Sequence, residues 1–188
     1  DPYPAALEDS LKAYSWLVAQ GHDPARIIIA GDSAGGGLAI AALLALRDEG
    51  NPLPAGAVCF SPWFDLTLSG ESVSGNAKVD PVLSGSVLMK YAEQYAGSRK
   101  IDDPLVSPLF AELRGLPPVY IQTGSREILL DDAARFCQKA QQDGVDATLD
   151  VWDGMFHVFQ LIPLLPQSAE ALKAVDEFIR GALNIKII

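Results

Sequence analysis

The chain has 188 residues, 49% hydrophobic and 20% charged, which is the balance of one soluble domain, residues 1–188, with a substantial core. A net charge of −10 excludes nucleic acid and anionic membrane surfaces as partners, because both repel an acidic protein. No apolar run reaches transmembrane length and residues 1–20 lack a signal-peptide layout, so no membrane insertion and a cytoplasmic address are expected.

Residues 4–20 set Leu7, Leu11, Tyr14, Leu17 and Val18 at helical spacing, with Pro4 suited to the first turn and Gly21 to the C-terminal cap. Arg26 to Ala30, with three isoleucines in succession, reads as a strand buried on both faces, as inside a parallel sheet. The segment Gly31-Asp32-Ser33-Ala34-Gly35 fits G-x-S-x-G, and an apolar run from Leu38 to Leu46 follows it. Strand, sharp turn, helix is the order that a nucleophile elbow requires. Gly31 and Gly35 are expected to leave room where the arms of the turn approach, and the helix N-terminus favours negative charge developing at Ser33. A phosphate-binding loop would need a Lys-Ser or Lys-Thr, or glycines at G-x-G-x-x-G spacing, and Gly35-Gly36-Gly37-Leu38 offers neither.

The helix after Ser33 ends near Gly50, and a second strand is expected from Ala57 to Ser61. From 62 to 118 the pattern loosens into an excursion, with one amphipathic helix from Leu83 to Tyr95 carrying Val87, Leu88, Tyr91 and Tyr95. So long an excursion between strands is usually a lid or pocket wall, and Trp63, Phe64, Leu88 and Tyr91 are costly to leave in water. Regular alternation then resumes: strand Val119–Thr123, helix Asp131–Asp143, strand Ala147–Trp152, and helix Ala169–Leu183 with Leu172, Val175, Phe178 and Ile179 inward. Strands alternating with helices specify a mostly parallel α/β sheet flanked by helices, with its site at the carboxyl ends of the strands. Cys59 and Cys137 read as buried reduced thiols, and two histidines with so few soft ligands predict neither metal nor cofactor.

A serine hydroxyl needs a base to become a nucleophile at neutral pH. His22 precedes the elbow strand, at the far end of the sheet, whereas His157 follows the last strand and reaches back over Ser33. The base needs a carboxylate to hold its tautomer. In this fold class the order is Ser, then acid, then His, and Glu127 lies on the loop that follows strand 119–123. Asp131 and Asp132 read instead as helix-starting acids that complement the dipole, and Asp150 and Asp153 as weaker candidates.

Four motifs, Gly31-Asp32-Ser33-Ala34-Gly35-Gly36, Ser61-Pro62-Trp63 with Asp65-Leu66, Asp103-Pro104-Leu105-Val106-Ser107-Pro108, and Gly154-Met155-Phe156-His157, together resemble the bacterial hormone-sensitive lipase family of α/β-hydrolase esterases. The resemblance implies an α/β-hydrolase fold and hydrolysis of short- to medium-chain carboxylic esters, with Ser33, Glu127 and His157 as triad and no cofactor. Most members carry an aspartate in Asp-Pro-Leu where this chain has Glu127-Ile128-Leu129. The family's His-Gly-Gly-Gly oxyanion loop and its first strands and part of its cap are missing, which leaves the backbone N–H of Ala34 as one donor. The chain also opens Asp1-Pro2-Tyr3-Pro4 without a methionine, so it is expected to be the C-terminal part of a longer enzyme, with the absent N-terminal segment as a partner and homo-oligomerisation an open alternative. Trp63, Leu88, Tyr91 and Val158 are candidate pocket residues around a small-molecule ester. The rivals are an amidase, deacetylase or lactonase on the same scaffold, or a ligand-binding fragment without catalysis, like the plant gibberellin receptors that share the scaffold but lack the catalytic histidine.

Overall fold

In a computed structural model, which describes residues 1–185, four strands and six helices alternate along the chain. Helix α1 (Ala5–Ala19) is followed by β1 (Ile28–Asp32), α2 (Ala34–Asp48) and β2 (Gly56–Phe60). The excursion then holds α3 (Ser72–Gly75) and α4 (Gly85–Ala96), and β3 (Val119–Gly124), α5 (Leu130–Gln142), β4 (Ala147–Trp152) and α6 (Pro166–Ala182) complete the order. The sheet runs β1-β2-β3-β4 and every pairing is parallel. The mostly parallel α/β sheet read from the sequence is the one observed, and among the described residues no helix is long and apolar enough to cross a membrane.

Side-chain alternation along β2 and β3 makes the layers. Ala57, Cys59, Val119 and Ile121 face α2 and α5, where they meet Ile40, Leu43, Leu44, Ala133 and Phe136. The intervening Val58 and Tyr120 face α6 and its Val175 and Phe178. Phe64 from the excursion stacks on Phe136 of α5 at 4.2 Å between ring centroids, so the excursion is rooted in the main core. Both cysteines are buried and free, and burial pushes the Cys59 thiol up to about 12, which keeps it inert.

Several expectations need correction. The first strand begins at Ile28, two residues later than the expected Arg26, because Asp23 caps a 3-10 turn over Pro24–Arg26, and it continues through Gly31 and Asp32 in register with Cys59 and Phe60. It is also not buried on both faces: β1 is an edge strand, its isoleucines are only partly covered, and Ala30 is exposed. In α6, Leu172 points outward, 47% exposed, and the inward face is formed by Ala171 and Val175 with Phe178 and Ile179. Val87 is likewise exposed on α4.

Asp131 and Asp132 lie in the first turn of α5, as expected, and their carboxylates also serve the excursion. Asp132 accepts the backbone N–H groups of Phe64 and Asp65 at 2.9 and 2.8 Å, and Asp131 accepts that of Ser72 at 2.7 Å. Asp65, beside Asp132, receives hydrogen bonds from Thr67 and Ser69 and an ion pair from Arg135 at 3.1 Å. Burial raises the Asp65 carboxyl, but the Ser69 and Thr67 donors outweigh it and the net shift is downward.

Asp132 is different. It is fully buried, its Oδ1 has no partner among the described residues, and desolvation pushes its carboxyl up to about 8 despite the two backbone donors. The folded chain therefore binds a proton that the unfolded chain, with a normal value of about 3.9, has already lost. This contribution is fully present below about pH 4 and is lost as pH rises to about 8, by up to about 1.4 kcal/mol per pH unit. Asp132→Asn reproduces the neutral form, so the melting temperature of the parent relative to this variant should fall between pH 5 and pH 8. A constant difference would mean that Asp132 stays ionised.

Candidate active site

Ser33 sits between β1 and α2 with φ 52° and ψ −121°, a backbone conformation that an L-residue adopts only when its surroundings impose it. Those surroundings are explicit. Its N–H donates to Phe60 O at 2.9 Å, and its carbonyl accepts from Gly36 N and Trp63 N, both at 3.0 Å. Gly31 makes the turn feasible, since a Cβ there would lie 2.2 Å from Gly35 O. Gly35, expected to serve the same approach, does not: a Cβ on it would meet nothing within 4 Å, and it faces a cavity instead. Asp32 is exposed at the end of β1.

The structure brings Ser33, His157 and Glu127 together across 124 and 30 residues of sequence. His157 Nε2 is 2.9 Å from Ser33 Oγ, and His157 Nδ1 is 2.9 Å from Glu127 Oε2. A carboxylate can only accept, so the imidazole proton belongs on Nδ1, and Nε2 is left with a lone pair for the serine O–H. The Glu127 carboxylate is fully buried, and its other oxygen accepts from Ser61 Oγ at 2.7 Å, from Thr123 Oγ1 at 3.1 Å and from the Gly124 N–H. The two loops that carry acid and imidazole lie against each other: Arg126 N donates to Met155 O at 3.1 Å, and a Cβ on Gly124 would lie 2.3 Å from that same oxygen.

The excursion clamps the acid loop from the opposite side. Asn76 Nδ2 donates to Glu127 O at 2.8 Å, Ser72 Oγ donates to Ile128 O at 2.7 Å, and Asp80 accepts from Ile128 N at 2.9 Å. Sequence reasoning missed Ser61, Thr123, Asn76 and Asp80 as supports. Ser61 lies inside the Ser61-Pro62-Trp63 motif, which is the available signal; Asn76 and Asp80 are loop residues whose partners lie 48 or more residues away, and Thr123 lies in β3, four residues before its partner across a turn. Asp150 is engaged elsewhere, by Tyr120 Oη at 3.0 Å and Trp152 Nε1 at 2.8 Å, and Asp153 by Ser125 Oγ at 3.2 Å. His22 is exposed, in the turn before β1.

Beside Ala34 opens an almost wholly apolar cavity of about 290 Å3. The first turns of α2 form one side, and Trp63, Leu66, Tyr91 and Tyr95 line the other. Trp63, which is buried, and Tyr91, which is 57% exposed, are the two candidate pocket residues that line this cavity. Leu88 does not, because it is turned under the wall, 4% exposed, into a cluster with Trp63 and Leu66. Val158 is not in the lining either; its backbone N–H donates to Ser61 Oγ at 2.9 Å and its φ is 52°. Among the described residues no group of three or more His, Cys, Asp or Glu could hold a metal ion.

Residues 1–161 match the family described as alpha/beta hydrolase fold. This chain belongs to the α/β-hydrolase fold family. It is 46% identical, over 96% of its length and 61% of the relative's, to an acetyl-hydrolase of Streptomyces hygroscopicus. It is 41% identical to an esterase of Acinetobacter venetianus, over 94% of this chain and 59% of that one. Among solved structures, an esterase from the bacterial hormone-sensitive lipase family superposes with a TM-score of 0.95 at 49% identity, covering 97% of this chain and 62% of that one. The resemblance carried by the four motifs is therefore met in both sequence and fold. The α/β-hydrolase chain described here spans about three fifths of the length of these relatives.

Proposed function

We propose that the protein is a serine carboxylesterase acting on short- to medium-chain esters, with Ser33 as nucleophile, His157 as general base and acid, and Glu127 as the carboxylate that orients His157. The observation that carries this reading is the continuous hydrogen-bonded line from Ser33 Oγ through His157 to a buried carboxylate, with both links at 2.9 Å. In the acylation half, Nε2 takes the Ser33 proton as Oγ attacks the ester carbonyl. The tetrahedral oxyanion lies near the Ala34 N–H at the start of α2, and the imidazolium returns the proton to the departing alcohol. Water then repeats the sequence on the acyl-serine, releasing the acid and restoring Ser33.

The cavity beside Ala34, at the small end of ligand sites and almost wholly apolar, suits a short acyl or alkyl group walled by the excursion. The Streptomyces relative, an acetyl-hydrolase, points the same way. One amide donor is an incomplete oxyanion hole, and a missing donor typically costs about a hundred- to a thousandfold in rate. An upstream segment, laid along the open edge of β1 and supplying the other donors, is accordingly part of the proposal.

The test is hydrolysis of p-nitrophenyl acetate, butyrate and decanoate by the chain and by Ser33→Ala, each with and without an upstream segment taken from a relative. The expected result is turnover of acetate and butyrate above decanoate, lost in Ser33→Ala and raised by the added segment. Turnover that survives Ser33→Ala, or none in any combination, would overturn the reading. Matched amides and lactones in the same assay separate it from the other hydrolases on this scaffold.

A further inference from the structure

We propose that Ser61 is a positioning residue, whose single hydroxyl ties Glu127 to the loop that carries His157 and so holds acid and imidazole in register. The inference rests on the triad reading above. Ser61 directly follows β2, is fully buried, and its hydroxyl makes two contacts at once. It donates to Glu127 Oε1 at 2.7 Å and accepts the backbone N–H of Val158, the residue after the imidazole, at 2.9 Å. A closed ring results, from Ser61 to Glu127 to His157 to Val158 and back.

Two features set this hydroxyl apart from an ordinary buried polar group. Of the three donors to Glu127 Oε1, Thr123 and Gly124 lie four and three residues from the acid, so they belong to its own strand end and move with it. Ser61, 66 residues away, follows a different strand and also touches the other partner loop. The ring is also held in backbone conformations that side-chain-bearing residues avoid. Ser61 has φ 46° and Val158 φ 52°, the latter a β-branched residue in the left-handed region. Such conformations persist where neighbouring structure over-determines them, and they cluster at working sites. Here the two strained residues are joined by the one hydroxyl. A glutamate, with one more rotatable bond than an aspartate, has more freedom for an outside donor to remove.

Ser61→Ala and Ser61→Gly both delete the hydroxyl, but glycine also relieves the left-handed backbone, so the pair separates hydroxyl from conformation and keeps the test alive should alanine fail to fold. Both are compared with the parent for kcat and KM on p-nitrophenyl butyrate, in the presence of the upstream segment, and for the low-field proton NMR resonance of the His157 Nδ1–H. Far-UV circular dichroism checks the fold. The expected result is a kcat lower by about ten- to hundredfold in both variants, KM within about twofold, and a weakened or shifted Nδ1–H resonance in folded protein. Turnover within twofold of the parent with the resonance unchanged would overturn the proposal. So would an activity loss in alanine that glycine restores, because the hydroxyl would then be irrelevant. If the parent itself lacks both the resonance and Ser33-dependent turnover, the triad reading fails, and Ser61 has no pair to position.

Discussion

Glu127→Gln should lower kcat on p-nitrophenyl butyrate by about 10^4-fold, and His157→Ala by about 10^6-fold, with the fold intact in both. The glutamine case follows from the donors that surround the carboxylate. Ser61 Oγ, Thr123 Oγ1 and the Gly124 N–H all point at one oxygen, so a glutamine must present its carbonyl there and its NH2 to His157. Nδ1 would then have to accept, the proton would move to Nε2, and the lone pair facing Ser33 at 2.9 Å would be gone. The imidazole would remain in place in the wrong tautomer. Alanine at 157 removes the base outright, and His22, exposed in the turn before β1, is no substitute. Steady-state kinetics with circular dichroism checks both; Glu127→Gln within tenfold of the parent would mean that the acid lies elsewhere.

Gly31→Ala should be among the most damaging single-methyl additions to stability. Its Cβ would lie 2.2 Å from Gly35 O and 2.3 Å from Gly35 C, and both atoms are backbone within the elbow itself. No rotamer change relieves such a clash, so strand and helix must separate, at a cost of about 3 kcal/mol or more. For a chain of this size that is a fall of roughly 6–12 °C in melting temperature. Gly35→Ala, in the same motif, should fold normally, because its Cβ meets nothing; its effect should fall on the cavity it faces. Thermal melts of the two variants side by side give the comparison, and equal melting temperatures would refute the elbow geometry.

The contrast between these glycines shows how far the sequence could be read. Periodicity identified every strand and every helix but the short α3 (Ser72–Gly75), with boundaries to within about three residues, since apolar alternation is a local property and the core obeys it. It failed at β1, where three isoleucines look the same on an edge as in a sheet centre, and at Leu172, where α6 covers the sheet with a narrower stripe than its apolar residues suggest. Ser33, Glu127 and His157 were nameable because chain order and strand ends constrain them. Ser61, Asn76 and Asp80 were not, because their partners are set by how loops 48 to 97 residues apart lie together, which no local pattern encodes. The pattern G-x-S-x-G made Gly31 and Gly35 equivalent, and only the packed turn tells them apart.

The four side chains that make the line and its support follow the carboxyl ends of four different strands, in chain order: Ser33 after β1, Ser61 after β2, Glu127 after β3 and His157 after β4. The serine meets its imidazole only across 124 intervening residues. On a ribosome adding about 5–20 residues per second, that gap lasts roughly 6–25 s. Throughout it the growing chain carries a serine hydroxyl with no base to activate it. On the proposed mechanism, reactivity would be tied to the docking of the last strand, and an incompletely made chain would be chemically quiet by virtue of its strand order.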